Sequence, residues 1–171
     1  ENAAAYAYHR ADLPDQSFLY NSLGVIYFES GNFLQAKNYF EQAMPNSETI
    51  KEEDPYTYAG IYTNIATCLK SSGKLTEAVA IYKALLPMNI ASEKINYNLG
   101  NTYFMLKKYD SALFYFNAIK MHDKGITVKK LNDIGRILTE QGNWTRAEKI
   151  FDSAILINKQ QVGSAKNKDM A

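Results

Sequence analysis

The 171-residue chain has little of what most specialised proteins are built from. Its one cysteine, Cys68, excludes an intrachain disulfide framework. Its 19 Lys and Arg against 18 Asp and Glu leave a net charge of +1, too weak a field to gather phosphate backbones or anionic lipid, so direct nucleic-acid binding is not expected. No apolar run approaches the roughly 20 residues that cross a bilayer. Residues 1–16 lack the basic, apolar, small-residue order of a signal peptide. No transmembrane segment is expected in this chain, and the compartment stays open between cytoplasm and periplasm. There is no Gly-rich phosphate loop, HExxH, CxxC or GxSxG, and the two histidines, His9 and His122, stand far apart. Both read as surface histidines. Cys68, with no His near it in sequence, reads as a small buried apolar residue. Neither catalysis, a metal nor a cofactor is therefore expected.

What the chain does have is a period. Ala36, Ala78, Ala112 and Ala147 are each followed four residues on by an aromatic: Phe40, Tyr82, Phe116 and Phe151. Twelve residues before each Ala stands a small residue, Gly24, Ala66, Gly100 and Gly135, preceded by Leu23, Ile65, Leu99 and Ile134. Three residues after it come Tyr27, Leu69, Tyr103 and Leu138. Random usage would place such a triplet at about one start in a thousand, so four in register mark a repeat. Spacings of three and four put each set on one helix face, two helices to a repeat. Gly31, Gly73 and Gly142 supply the positive φ that ends the first helix, whereas Lys107-Lys108 must turn the third repeat without glycine, at some strain. The small residue lets the two helices approach, with the aromatic filling the wedge beside the contact. The prolines, at 14, 45, 55 and 87, fall between the expected helices.

These residues resemble the tetratricopeptide repeat (TPR) family, whose pattern is W-x2-L-G-x2-Y, then A-x3-F, then P. The resemblance covers residues 17–48, 59–90, 93–124 and 128–159 as repeats one to four. It implies an all-α fold, a right-handed α-α superhelix forming a single solenoid over 1–171. No Trp opens a repeat; Tyr20, Tyr62, Asn96 and Leu131 stand there instead. The long step between repeats one and two comes from Ser47 to Tyr58, expected to lengthen the connection or add a turn to the next helix. Residues 1–13, with Ala4, Tyr8 and Ala11, repeat the spacing of Ala36, Phe40 and Ala43, as if they were the second helix of a preceding repeat. Residues 160–171 are expected to be a tail or the start of a further repeat. The chain thus reads as a piece of a longer array whose bare end repeats would drive self-association.

The resemblance also implies where a partner sits. TPR proteins line a concave groove with first-helix residues three before and one after the small position. Here these are Asn21 and Val25, Thr63 and Thr67, Tyr97 and Asn101, and Asn132 and Arg136. Lys94 and Lys129 add positive charge, and Arg136 has the geometry to grip a carboxylate. The two-carboxylate clamp of chaperone-binding TPR domains is incomplete in either register. Asn64 and Lys94 fit one, but Val25 and Asn98 do not; Asn98 and Lys129 fit the other, but Thr63, Thr67 and Asp133 do not. No chaperone-tail binding is expected.

The remaining features read as structure. Most Tyr and Phe fall on packing positions and are core rather than a base-stacking platform. In the sequon Asn143-Trp144-Thr145, Trp144 takes the aromatic position of Phe33 and Tyr109 and is expected to pack at the helix corner. The leading expectation is a non-catalytic module binding a peptide segment of a protein partner in its groove. The second is a ligand-sensing input domain of a bacterial TPR-containing signalling or transcription regulator.

Overall fold

The computed structural model describes residues 13–44, 47–120 and 124–168. Two expectations lie outside them: the helix expected over residues 1–13, all but Leu13, which opens the first described helix, and the surface positions of His9 and His122. The described residues are helical, in two compact units, Glu1–Ala91 and Ser92–Ala171. Unit 1 holds α1 (Leu13–Glu29), α2 (Phe33–Gln42), α3 (Ser47–Glu53), α4 (Pro55–Ser71), α5 (Leu75–Leu85) and a 3-10 turn at Leu86–Met88. Unit 2 holds α6 (Ser92–Met105), α7 (Tyr109–Asn117), α8 (Lys124–Glu140) and α9 (Trp144–Lys168). Each unit is two helix-turn-helix pairs. α1 pairs with α2 and α4 with α5, and α2 packs on α4; in the second unit α6 pairs with α7 and α8 with α9, and α6 and α7 both touch α8.

All four corners share one hydrogen-bond pattern. The residue in the left-handed conformation donates to the carbonyl three back, and the next residue donates to the carbonyl five back: Gly31 to Phe28 and Asn32 to Tyr27, Gly73 to Lys70 and Lys74 to Leu69, Lys107 to Phe104 and Lys108 to Tyr103, Gly142 to Thr139 and Asn143 to Leu138. This double bond satisfies carbonyls that the helix end leaves open. It demands a positive φ, which glycine supplies at 79°, 80° and 73° and Lys107 adopts at 58°. The expected strain is thus located at Lys107, because a Cβ crowds the backbone in this region.

The helix pairs close on the repeat anchors, which are buried or, at Phe151, half-buried. The rings of Phe40, Phe116 and Phe151 lie directly on Gly24, Gly100 and Gly135. A Cβ added at Gly100 would sit 2.5 Å from Phe116 Cε1, and one at Gly135 2.6 Å from Phe151 Cε1. The small residue therefore makes room for the aromatic itself, a closer relation than filling a wedge beside the contact. In repeat two, Ala66 stands in the glycine's place and the aromatic is Tyr82, whose hydroxyl lies 2.9 Å from Thr67 Oγ1. Repeats one and three add stacked tyrosines between their helices, Tyr27 on Tyr39 at 5.1 Å and Tyr103 on Tyr115 at 5.5 Å.

Several expectations are corrected. Between Ser47 and Tyr58 the chain forms a helix of its own, α3, which packs on α4. Asp54 then caps α4, its Oδ1 accepting from the Thr57 amide at 3.0 Å and its Oδ2 from the Thr57 hydroxyl at 2.6 Å. These bonds hold its carboxyl below the ordinary range. Pro14 and Pro55 lie in the first turns of α1 and α4 rather than between helices, where a missing N–H costs nothing. Pro87 lies in the 3-10 turn, and Pro45 is outside the described residues. Trp144 is 67% exposed. Phe33 and Tyr109 find rings across their corners, Phe28 at 5.3 Å and Phe104 at 6.0 Å, but Thr139 occupies the matching place opposite Trp144. Residues 160–168 continue α9 without a break, through Gly163.

Candidate functional site

The first helices, α1, α4, α6 and α8, carry every residue expected to meet a partner, and each unit presents its own share. In unit 1, Asn21 on α1 is half-buried and its Oδ1 accepts from Nδ2 of Asn64 on α4 at 3.3 Å. Val25 is exposed. Thr63 is buried, and the Thr67 hydroxyl donates to the Thr63 carbonyl at 2.8 Å while meeting Tyr82. Unit 1 thus ties most of its polar groups to itself.

Unit 2 holds the larger share. Lys94 and Lys129 are exposed, Asn98 is buried, Asn101 is half-buried and Asn132 is exposed. Tyr97 on α6 donates its hydroxyl to Asp133 Oδ2 on α8 at 3.0 Å. Arg136, one helical turn beyond Asp133, donates from Nη1 to Asp133 Oδ1 at 3.1 Å. Its guanidinium lies 4.6 Å above the Phe104 ring. Asp133 is almost wholly buried, while the Arg136 side chain remains 53% exposed. A buried carboxylate is tolerable only when paired, and here both oxygens are engaged. Burial first, then the Asp133 charge, pushes the Tyr97 phenol well above its ordinary value and keeps it a donor.

Sequence reasoning missed Asp133, noticing it only as a misfit to the chaperone clamp. The available signal was an acid three residues before Arg136 on a face otherwise of amides and hydroxyls. Arg136 was expected to grip a ligand carboxylate; in the structure it already has one. Its charge is compensated from within, and its other N–H groups remain to meet acceptors.

Two further features complete the map. Unit 1 has a cavity of about 490 Å³ between α2 and α5, floored by Tyr62, Ile65 and Leu69 of α4 and edged by Lys37, Glu41 and Glu77. Cys68 is fully buried, and burial pushes its thiol up to about 11, so it is protonated and unreactive at neutral pH. Among the described residues no three His, Cys, Asp or Glu are gathered as a metal site. No described helix is long and apolar enough to cross a membrane.

Three family models, each described as tetratricopeptide repeat, match residues 15–91, 93–119 and 127–165. The chain is 25% identical over 161 residues to anaphase-promoting complex subunit CDC16 of Saccharomyces cerevisiae, covering 92% of this chain and 18% of that protein. It is 32% identical over 78 residues to the uncharacterized protein ycf37 of Pyropia yezoensis, covering 46% of this chain and 39% of that one. The chain therefore spans less than half the length of either relative. The crystal structure of BtubC (BKLC) from P. vanneervenii matches with a TM-score of 0.77 at 20% identity, over 94% of this chain and 71% of that one. At that identity the match speaks for the fold alone.

Proposed function

Because the chain belongs to the tetratricopeptide repeat family, whose repeats are generally protein–protein interaction modules, we propose that it is a non-catalytic module holding a peptide segment of a protein partner against its first helices. The observation that carries this reading is the Tyr97–Asp133–Arg136 cluster. It fixes a half-exposed guanidinium before any ligand arrives, so little side-chain entropy remains to be lost on binding. Asn101 and Asn132 each bring a donor and an acceptor on α6 and α8, which suits the alternating N–H and C=O groups of an extended backbone. Lys94 and Lys129 are exposed on the same helices and favour a segment with a carboxylate. By its name, the yeast relative is a subunit of a complex, in keeping with a role inside an assembly.

The test is a selection of displayed peptides on the intact protein, followed by affinity measurements on an enriched peptide. Arg136→Ala and Asn132→Ala should each weaken binding about tenfold, the equivalent of about 1.4 kcal/mol. Lys149→Ala, on α9, should leave it unchanged. Loss of affinity in Lys149→Ala alone would move the site to the second helices.

The second reading, a sensory input domain of a bacterial regulator, would use the cavity between α2 and α5, whose volume is in the range of small-ligand sites. Ile81→Trp should then abolish small-molecule stabilisation without altering peptide binding.

A further inference from the structure

The cavity of unit 1 is lined by α2, α4 and α5 alone. On α2 the lining runs from Lys37 to Met44, about 10 Å of helix, and on α5 it is little more than one turn, Glu77 to Ile81. A slot of about 490 Å³ and that length suits a compact small molecule rather than a run of peptide. Its floor is apolar: Ile65 and Leu69 are buried, and Ile81 stands half-buried at the side. An apolar floor under a charged rim selects an amphiphile, a body that leaves water with one polar group that stays at the mouth.

The rim sets the sign of that polar group. Lys37 Nζ donates to Glu41 Oε1 at 2.5 Å, so these two charges offset each other. Glu77 is the third charged residue of the lining, and its Oε1 lies 3.9 Å from Lys74 Nζ, beyond hydrogen-bond reach, with both side chains exposed. The lining therefore carries one uncompensated carboxylate, and Tyr62 adds an aromatic ring, which also favours a cation. The same register positions in unit 2 hold Asn117 for Glu41, Arg146 for Glu77 and Lys149 for Ala80. Unit 1 as a whole has ten acids against six bases, and unit 2 eight against thirteen. Both the rim and the field around it draw positive charge to unit 1.

We propose that the cavity between α2 and α5 binds a free amphiphilic organic cation, its apolar body on Ile65, Leu69 and Ile81 and its ammonium or guanidinium group against Glu77. This ligand class rests on the second reading, in which the cavity is a small-ligand site, and is independent of peptide binding on the first helices.

The test is a titration of the full chain, isotope-labelled at its isoleucine and leucine methyls, with three probes of similar shape: phenylpropylammonium, phenylpropanol and phenylpropanoate. The ammonium should shift the methyls of Ile65, Leu69 and Ile81 and bind about fivefold more tightly than the alcohol, the upper range for an exposed ion pair. Phenylpropanoate should bind most weakly. Glu77→Gln, at an exposed position and so without effect on helical content, should level the ammonium with the alcohol, and Glu77→Lys should put phenylpropanoate first. Equal binding of all three probes to wild type would overturn the cationic class while leaving the cavity a small-ligand site. No shift of these methyls by any probe would overturn the class and the sensory reading together. A preference for the ammonium that survives Glu77→Gln would also overturn the proposal, since Glu77 would then not be the group that reads the charge.

Discussion

In unit 1 the residue three before the small position of the first repeat, Asn21, meets Asn64, two before the small position of the second. In unit 2 the same register positions hold Tyr97 and Asp133, with Arg136 added one turn on. The backbone scheme is shared, as are the stacked tyrosines and the corner hydrogen bonds. The polar chemistry is not. A neutral amide pair at 3.3 Å is a weak tie open to water, whereas a buried carboxylate with a phenol and a guanidinium is strong and must be complete. One scaffold therefore carries a permissive face in unit 1 and a fixed one in unit 2.

The largest expected effect tests what the units share. Gly100→Leu drives a side chain into the Phe116 ring and should cost about 3 kcal/mol or more, read as an early unfolding transition by circular dichroism. Gly24→Leu should do the same through Phe40. Next comes the contrast between the units. Asp133→Ala strands the Tyr97 hydroxyl and Arg136 and should cost about 2 to 3 kcal/mol in urea unfolding, while Asn64→Ala should cost about 1 kcal/mol or less. Equal losses would erase the distinction.

Alkali should sharpen it. Burial raises the Tyr82 phenol to about 12, its bond to Thr67 offsetting part of the rise. Tyr97 is raised further, by burial and by Asp133. An unfolded tyrosine ionises near pH 10, so above that the unfolded chain releases protons that the folded chain keeps, and stability falls as pH rises from about 10. Tyr97→Phe should flatten this fall in unit 2 and Tyr82→Phe in unit 1, read from melting temperature against pH.

Smaller effects follow at single backbone positions. Lys107→Gly should stabilise unit 2 by about 1 kcal/mol or less by relieving a positive φ, and Gly73→Ala should destabilise unit 1 by about 1 kcal/mol. Gly60→Ala, at an exposed position of α4 where a Cβ meets nothing, should stabilise by about 0.5 to 1 kcal/mol. Chemical denaturation separates all three.

The repeat was readable in the sequence because its packing is local: Gly or Ala, Ala and an aromatic at fixed offsets dictate one helix pair, and Lys107 announced its own strained corner. What could not be read depended on the residue opposite. Trp144 has the sequence of a buried corner ring, but Thr139 stands at the position where the other corners supply a ring, and Trp144 is left exposed. Thr67 looked free for a ligand, yet Tyr82 in place of Phe brings a hydroxyl to it. Asp133 looked like a misfit until Tyr97, 36 positions away, supplied its partner. Side-chain pairs between repeats are set by two sequences at once, and neither alone reveals them.

The most direct measurement is a titration of a selected peptide onto isotope-labelled protein, followed by amide and side-chain resonances. The account predicts the largest shifts at Asn101, Asn132 and the Arg136 guanidinium, with smaller ones at Asn21. Shifts confined to α2, α5, α7 and α9 would contradict it.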